Sequence, residues 1–236
     1  MADFNKWIEP PKRRYKRIFE GNNYQNIYSD AGNWTGGAVG VGTQAGTNMS
    51  ISAETLSKWR GYEVTAADMQ SLGVTEVLDI MKVQFWDKIR ADEIRSQVIA
   101  EFTADNRSSA GYNGVKQTQK ALNEIGYNVE VDGKVGDSTI RALNDASAKG
   151  KDFELYHSIR RNMQKYYKSL NKPQFISGWL NGLDRDYPER DRNDPVFNSR
   201  VKLFSFDRVL STQHLSEDIL SLAIILILLT SINKFK

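Results

Sequence analysis

QKALNEIGYNVEVDGKVGDSTIRALN, residues 119–144, carries the pattern on which the fold class turns. Ala121 and Leu122 close an apolar helical stripe that begins at Val115. Gly126 stops it, since glycine is the residue a helix most often uses to leave the right-handed region. VEVDGKVGD then reads as a compact turn-rich connector, and Ser138 caps a second helix over Thr139–Ala148. The result is a helix, a glycine turn and a helix. A D-x-x-x-G spacing begins at Asp132, but the alternating oxygen ligands and terminal glutamate of a calcium loop are missing, so the turn is read as structural and no metal is expected.

Helical spacing continues on both sides. Toward the C-terminus, Tyr156, Ile159, Met163 and Tyr167 line one face of a helix over 153–170, and Pro173 opens another containing Phe175, Ile176, Trp179 and Leu183. Toward the N-terminus, Ile94, Val98, Ile99 and Phe102 place a helix over 91–104, and NRSSAGYNG after Asp105 breaks it. Leu78, Met81 and Phe85 place another over 75–88. Thr65 and Asp68 form a capping-box pair, and Ser52 caps the helix bearing Leu56 and Trp59. Pro10 and Pro11 mark the start of a first helix with Arg14, Tyr15, Ile18 and Phe19 on its apolar face. The fold class expected is all-α or mainly α.

Two stretches break this regularity. Residues 21–50 are rich in glycine and asparagine and show little periodicity, the signature of a long loop or an irregular hairpin, and a loop that long in a compact domain usually serves a site. GVGTQAG at 40–46 lacks the spacing and the βαβ setting of a dinucleotide site. Residues 184–194, DRDYPERDRND, read by composition as a solvated linker. Beyond it, Ile219–Ile232 is uncharged; as a helix it reaches about 21 Å, short of the roughly 30 Å hydrocarbon core. It is read as a candidate membrane contact, with burial in an oligomer as the other reading. Oligomeric state is left open.

The chain has 236 residues, a formal net charge of +3, 40% hydrophobic and 26% charged residues, so it can fold, and its mild charge does not require nucleic acid, which is not expected as a partner. There is no cysteine, which removes thiolate chemistry and cysteine-ligated metals, and His157 and His214 are too few for a histidine-rich zinc centre. The charged N-terminus has no apolar core after it, so no conventional secretory signal is expected and synthesis is placed in the cytoplasm. What remains for catalysis is carboxylates, hydroxyls, tyrosine and lysine. Glu20 stands between a basic run and the glycine-rich loop, with Phe19 and Tyr24 as apolar neighbours, a setting that can raise a carboxyl pKa and suit a general acid for glycosidic cleavage.

EGNNY at Glu20–Tyr24, Asp30 followed by Gly36 and Gly37, QFWD at 84–87 and AEFTADN at 100–106, in that order, resemble the phage-associated lysozymes of glycoside hydrolase family 108. Residues 119–144, with RRNMQKYY at 160–167 and FISGWLNGL at 175–183, are similar to the predicted peptidoglycan-binding module that accompanies that family. The resemblance implies a lysozyme-like helical catalytic region (1–109), a small helical peptidoglycan-binding-like unit (110–184), and a charged linker with a hydrophobic tail (185–236). It implies hydrolysis of the β-1,4 bond between N-acetylmuramic acid and N-acetylglucosamine at the bacterial cell wall, with peptidoglycan as partner and without a cofactor. Glu20 becomes the proton donor and Asp30 the acidic group nearest to it. Tyr24 and Trp34 become sugar-stacking rings, Thr43 and Gln44 hydrogen-bonding groups, and Asn106 a cleft residue or a helix C-cap. The chain departs from the family's E-G-G at Asn22 and from its D-P-G-G in DAGNWTGG. Those changes keep open a non-catalytic, wall-binding or structural role in a phage particle or secretion apparatus.

Overall fold

The structure, a computed structural model, describes residues 1–8, 24–195 and 197–198. Glu20 and its flanking basic run, the expected first helix after Pro10, and Ile219–Ile232 lie outside the described residues. Residues 1–192 form one compact unit. The second unit begins at Asn193; within it the backbone N–H groups of Phe197 and Asn198 donate to the side chain and carbonyl of Asp194.

The fold is mainly α, as expected. α1 is Phe4–Ile8, α2 Ala53–Arg60, α3 Ala66–Gln70, α4 Val74–Met81, α5 Gln97–Glu124, α6 Asp137–Ala148, α7 Asp152–Ser169 and α8 Pro173–Asp186. The sheet among the described residues is one short antiparallel pair, β1 (Thr47–Asn48) and β2 (Ile51–Ser52), with Thr47 opposite Ser52 and Asn48 opposite Ile51. Ser52 caps α2 by accepting from the Thr55 N–H, and Thr65 and Asp68 close a reciprocal capping box on α3. α4 is shorter than the apolar spacing suggests. It passes at Lys82 into a π-helical turn through Trp86, then into a 3₁₀ turn that ends at Arg90 in the left-handed region.

The break expected after Asp105 falls instead at Gly111, where φ is 57° and ψ −135° inside α5. The chain reverses there. Thr103 and Thr118 face each other with their hydroxyl oxygens 3.2 Å apart, whereas fifteen residues of straight helix would separate them by about 22 Å. Gly114 makes the corner possible, because a β-carbon on it would stand 1.9 Å from the Asn106 carbonyl oxygen. Thus α5 is a helical hairpin, and the stretch that reads as a loop is mostly helix. Lost helical propensity at the serines and glycines is outweighed by the apolar faces of the two arms, which bury Phe102, Ala104, Val115 and Leu122.

α7 packs along α5 and carries the centre of the core, with Leu155, Tyr156, Ile159 and Met163 at most 1% exposed. Residues 184–192, read from composition as part of a solvated linker, form the end of α8 and the segment after it; most of their charged side chains are exposed, and the segment is tied to α7 by the partners it has there. Arg160 donates to the Tyr187 carbonyl at 2.9 Å, to Glu189 at 3.0 Å and to Asp184. Tyr156 donates to the Pro188 carbonyl at 2.8 Å, and Arg192 donates to Glu154 at 2.6 Å. Tyr187 stacks on Phe102 with centroids 3.8 Å apart, and its hydroxyl donates to Asp105. Asp105 also accepts from Trp7 Nε1 at 3.0 Å, which ties α1 to the same point; Trp7 in turn stacks on Trp86.

Candidate active site

The glycine-rich loop is organised by hydrogen bonds from side chains, in the absence of an apolar face of its own. Tyr24 is half-buried and donates its hydroxyl to the Ala45 carbonyl at 3.0 Å, while accepting from Asn26 Nδ2 at 3.1 Å. The Gln25 backbone pairs with Thr47, and Trp34 pairs with Gln44, so the loop is an irregular hairpin that leads into β1. Asn26 Nδ2 also donates to the Gln44 carbonyl at 3.2 Å. Tyr24, Asp30, Trp34, Thr43 and Gln44 therefore belong to one small hydrogen-bonded hairpin.

Asp30 is half-buried, and its Oδ1 accepts from the Gly32 N–H at 2.9 Å, capping the 3₁₀ turn Ala31–Asn33. Trp34 is 9% exposed, and its Nε1 donates to the Tyr28 carbonyl at 2.9 Å. The ring that faces outward is Tyr28, 63% exposed, which sits edge-on to Trp34 at 5.2 Å. Sequence reasoning passed over Tyr28. Its signal was its place six residues before a tryptophan whose indole N–H needs a buried acceptor.

Thr43 is exposed; its N–H donates to Thr35 Oγ1 at 2.8 Å and its carbonyl accepts from the Thr35 N–H at 3.0 Å. Thr35, but not Thr43, lines an open depression of about 510 Å³, together with Gly36, Val41, Ser57, Tyr62 and Glu63. Glu63 accepts from Thr35 Oγ1 at 2.8 Å. Hydrogen bonding to Thr43 and Thr35 holds its carboxyl below the usual glutamate range, so it is an anion at neutral pH and suits binding of a polar ligand better than proton donation. Glu63, too, escaped the sequence reading: it follows α2 in GYEVT, with nothing local to mark it.

Asn106, expected at a helix end, lies within α5 beside the hairpin corner. It is 3% exposed, its Nδ2 is buried without a hydrogen-bond partner, and its carbonyl abuts Gly114. A C-cap role is therefore excluded by position.

The turn at Asp132 and Gly133 is held by one side chain. Gln119 Nε2 donates to Asp132 Oδ1 at 2.8 Å and to the Lys134 carbonyl at 2.9 Å, and Gln119 Oε1 accepts from the Gly133 N–H at 2.7 Å. Gly133 has φ +81°, and a β-carbon there would lie 2.6 Å from the Tyr112 carbonyl oxygen. The V-D-G pattern thus encodes a turn that closes on the α5 corner.

Residues 17–111 match the model of glycosyl hydrolase 108, and residues 113–184 match that of a predicted peptidoglycan domain. The family resemblance read from the sequence is borne out, and the changeover between the matches falls at the α5 corner. Among solved structures, SagA from Brucella abortus is similar in fold, with a TM-score of 0.61 and 23% identity over 80% of this chain and 97% of SagA. No curated protein matches the chain. The two matched families support a protein that acts on peptidoglycan.

Proposed function

We propose that this chain is a muramidase that hydrolyses the β-1,4 bond between N-acetylmuramic acid and N-acetylglucosamine, with residues 1–109 carrying the chemistry and 110–184 holding the polymer. The observation that carries the reading is the direct succession of a glycosyl hydrolase 108 match and a predicted peptidoglycan domain match. The first of these begins at residue 17 and so includes Glu20. Glu20 is assigned as the general acid that protonates the leaving oxygen. Asp30, in the hairpin that follows, is assigned the second carboxylate role, either on the sugar or on the attacking water; the separation of the two carboxyls decides between retention and inversion.

In this reading Tyr28 offers the exposed ring face for a sugar, Glu63 a carboxylate partner in the depression, and Thr43, hydrogen-bonded to Glu63, a polar group beside it. The wall is the site of action, and the 219–232 segment is assigned to a membrane contact. A wall-binding protein without turnover is the second reading. The observations that favour it are Asn22 in place of the family's glycine and the engagement of Asp30 in the 3₁₀ cap.

The test is the mass spectrum of products released from purified peptidoglycan by the wild-type chain and by Glu20→Gln. New reducing ends at muramic acid that disappear in the variant are expected. Sedimentation of both proteins with the wall, with no fragments from either, would establish the binding role instead.

A further inference from the structure

A second cavity, of about 200 Å³, opens where the α5 corner meets the Gly133 turn, lined by Lys88, Arg107, Tyr112, Val115, Lys134 and Val135. Three cationic side chains converge on it. Among the described residues none of the three makes an ion pair. Asp132, the neighbouring carboxylate, has its Oδ1 engaged by Gln119 and by the Lys134 N–H at 2.8 Å. The Arg107 guanidinium carbon lies over the Tyr112 ring, 4.4 Å from its centre, a cation–π contact that uses none of its N–H donors. A guanidinium is a planar fork of N–H donors, the geometry that pairs with a carboxylate through two parallel hydrogen bonds. Val115 and Val135 supply apolar wall beside it. The cavity is smaller than the roughly 300–1,000 Å³ used for drug-sized ligands, so it fits a terminal group better than a run of sugar rings.

We propose that this cavity binds the free C-terminal carboxylate of a short peptide, with Arg107 as the bidentate partner, Lys88 and Lys134 as flanking charges, and the valines against a small apolar side chain. Resting on the peptidoglycan reading above, the peptide is a stem of the wall polymer. The glycan-cleaving loop and this cavity then read different parts of one substrate.

The probe is N-acetyl-D-alanyl-D-alanine, titrated into the full chain and followed by calorimetry and by chemical-shift perturbation, beside its C-terminal amide and inorganic phosphate. The acid is expected to saturate, with the amide at least about tenfold weaker and phosphate weaker than the acid. Arg107→Gln should weaken the acid about tenfold or more, and the double variant Lys88→Gln with Lys134→Gln by less, with thermal melting unchanged as the check on folding. Absence of saturable binding to the wild type, equal binding of acid and amide, phosphate binding as tight as the acid, or an Arg107→Gln variant that melts normally and binds normally would each overturn the assignment. Sedimentation with intact wall is scored separately. Wall binding without peptide binding removes the cavity assignment alone, and peptide binding without wall binding removes the peptidoglycan reading on which its identification as a stem rests.

Discussion

The hairpin loop from Tyr24 to Thr47 and the turn from Val129 to Gly136 are both glycine-bearing and both lack an apolar stripe, yet they are held in different ways. The loop is stitched across itself, by Tyr24 to Ala45, Trp34 to Tyr28 and Thr35 to Thr43. The turn is clasped from outside by Gln119, a 1% exposed side chain on the second arm of α5, and pressed against the corner at Tyr112. The self-stitched loop is tied to the core at Trp34 and Ala45 and leaves Tyr28 and Val41 outside it. The clasped turn depends instead on Gln119, on the same helical arm that packs against its partner in the α5 hairpin.

The sharpest way to break this comparison is Gly114→Ala. The added methyl meets the Asn106 backbone, which has no side-chain freedom with which to yield, so a loss of about 3–5 kcal/mol is expected. For a domain of this size that lowers Tm by roughly 10 °C, measurable by scanning calorimetry. A fall under 1 °C would mean that the corner is looser than described. Gln119→Ala comes next: it strands the Gly133 N–H, one end of a largely buried contact, and should cost about 2 kcal/mol by urea unfolding.

On the loop side the effect should be smaller. Asp30→Ala removes one cap bond and is expected to cost about 1 kcal/mol. Asp30→Asn keeps an accepting oxygen for the cap, so if Asp30 also acts on the substrate its product yield falls while its Tm holds; if it is only a cap, both stay near the wild type.

The smallest change has the opposite sign. Asp152 is 1% exposed; its Oδ2 accepts from Ser147 at 3.0 Å, while Oδ1 has no hydrogen-bond partner, and burial raises its pKa. A carboxyl with a raised folded-state pKa favours the fold when protonated and loses that contribution as pH climbs through the folded value. Asp152→Asn should therefore melt slightly higher than the wild type at pH 7, and the difference should close below about pH 4. A difference that holds at both pH values would point to packing instead of ionisation.

These contrasts also explain what the sequence could tell. The Ser52 cap, the Thr65 and Asp68 capping box, Gly126 at the end of α5 and Pro173 at the start of α8 were legible, because each is settled within one turn of helix. Helix identity over the core was legible from spacing. The corner at Gly111 was not. Serine, glycine and asparagine at 106–114 look like a loop until the two arms find each other across a distance that periodicity cannot see. The charged stretch at 184–192 is mostly exposed, as its composition suggests, but its ties to Arg160 were not legible, since Arg160 lies 24 or more residues away from the partners it selects there. At the candidate site, Tyr24, Asp30, Trp34, Thr43 and Gln44 do fall in one hairpin, but Trp34 gives its ring to the interior and Tyr28 faces solvent. Which of two nearby aromatics faces outward depends on where one indole N–H finds its carbonyl.

The corner in α5 has a further consequence for how such a protein can be cut and recombined. The glycosyl hydrolase match stops at residue 111 and the next match starts at 113, so the seam between the two matches sits at the tip of a helical hairpin. Asn144 donates to the Glu93 carbonyl and accepts from the Arg95 N–H, and Arg90 reaches Asp137, adding stitches on either side of the seam. A fragment ending at 111 would carry away one arm of the hairpin and leave its apolar face in water. A graft of residues 113–184 onto a different protein should move the donor arm with it, taking the break upstream of Arg90, so that the bonds of Arg90, Glu93 and Arg95 travel too.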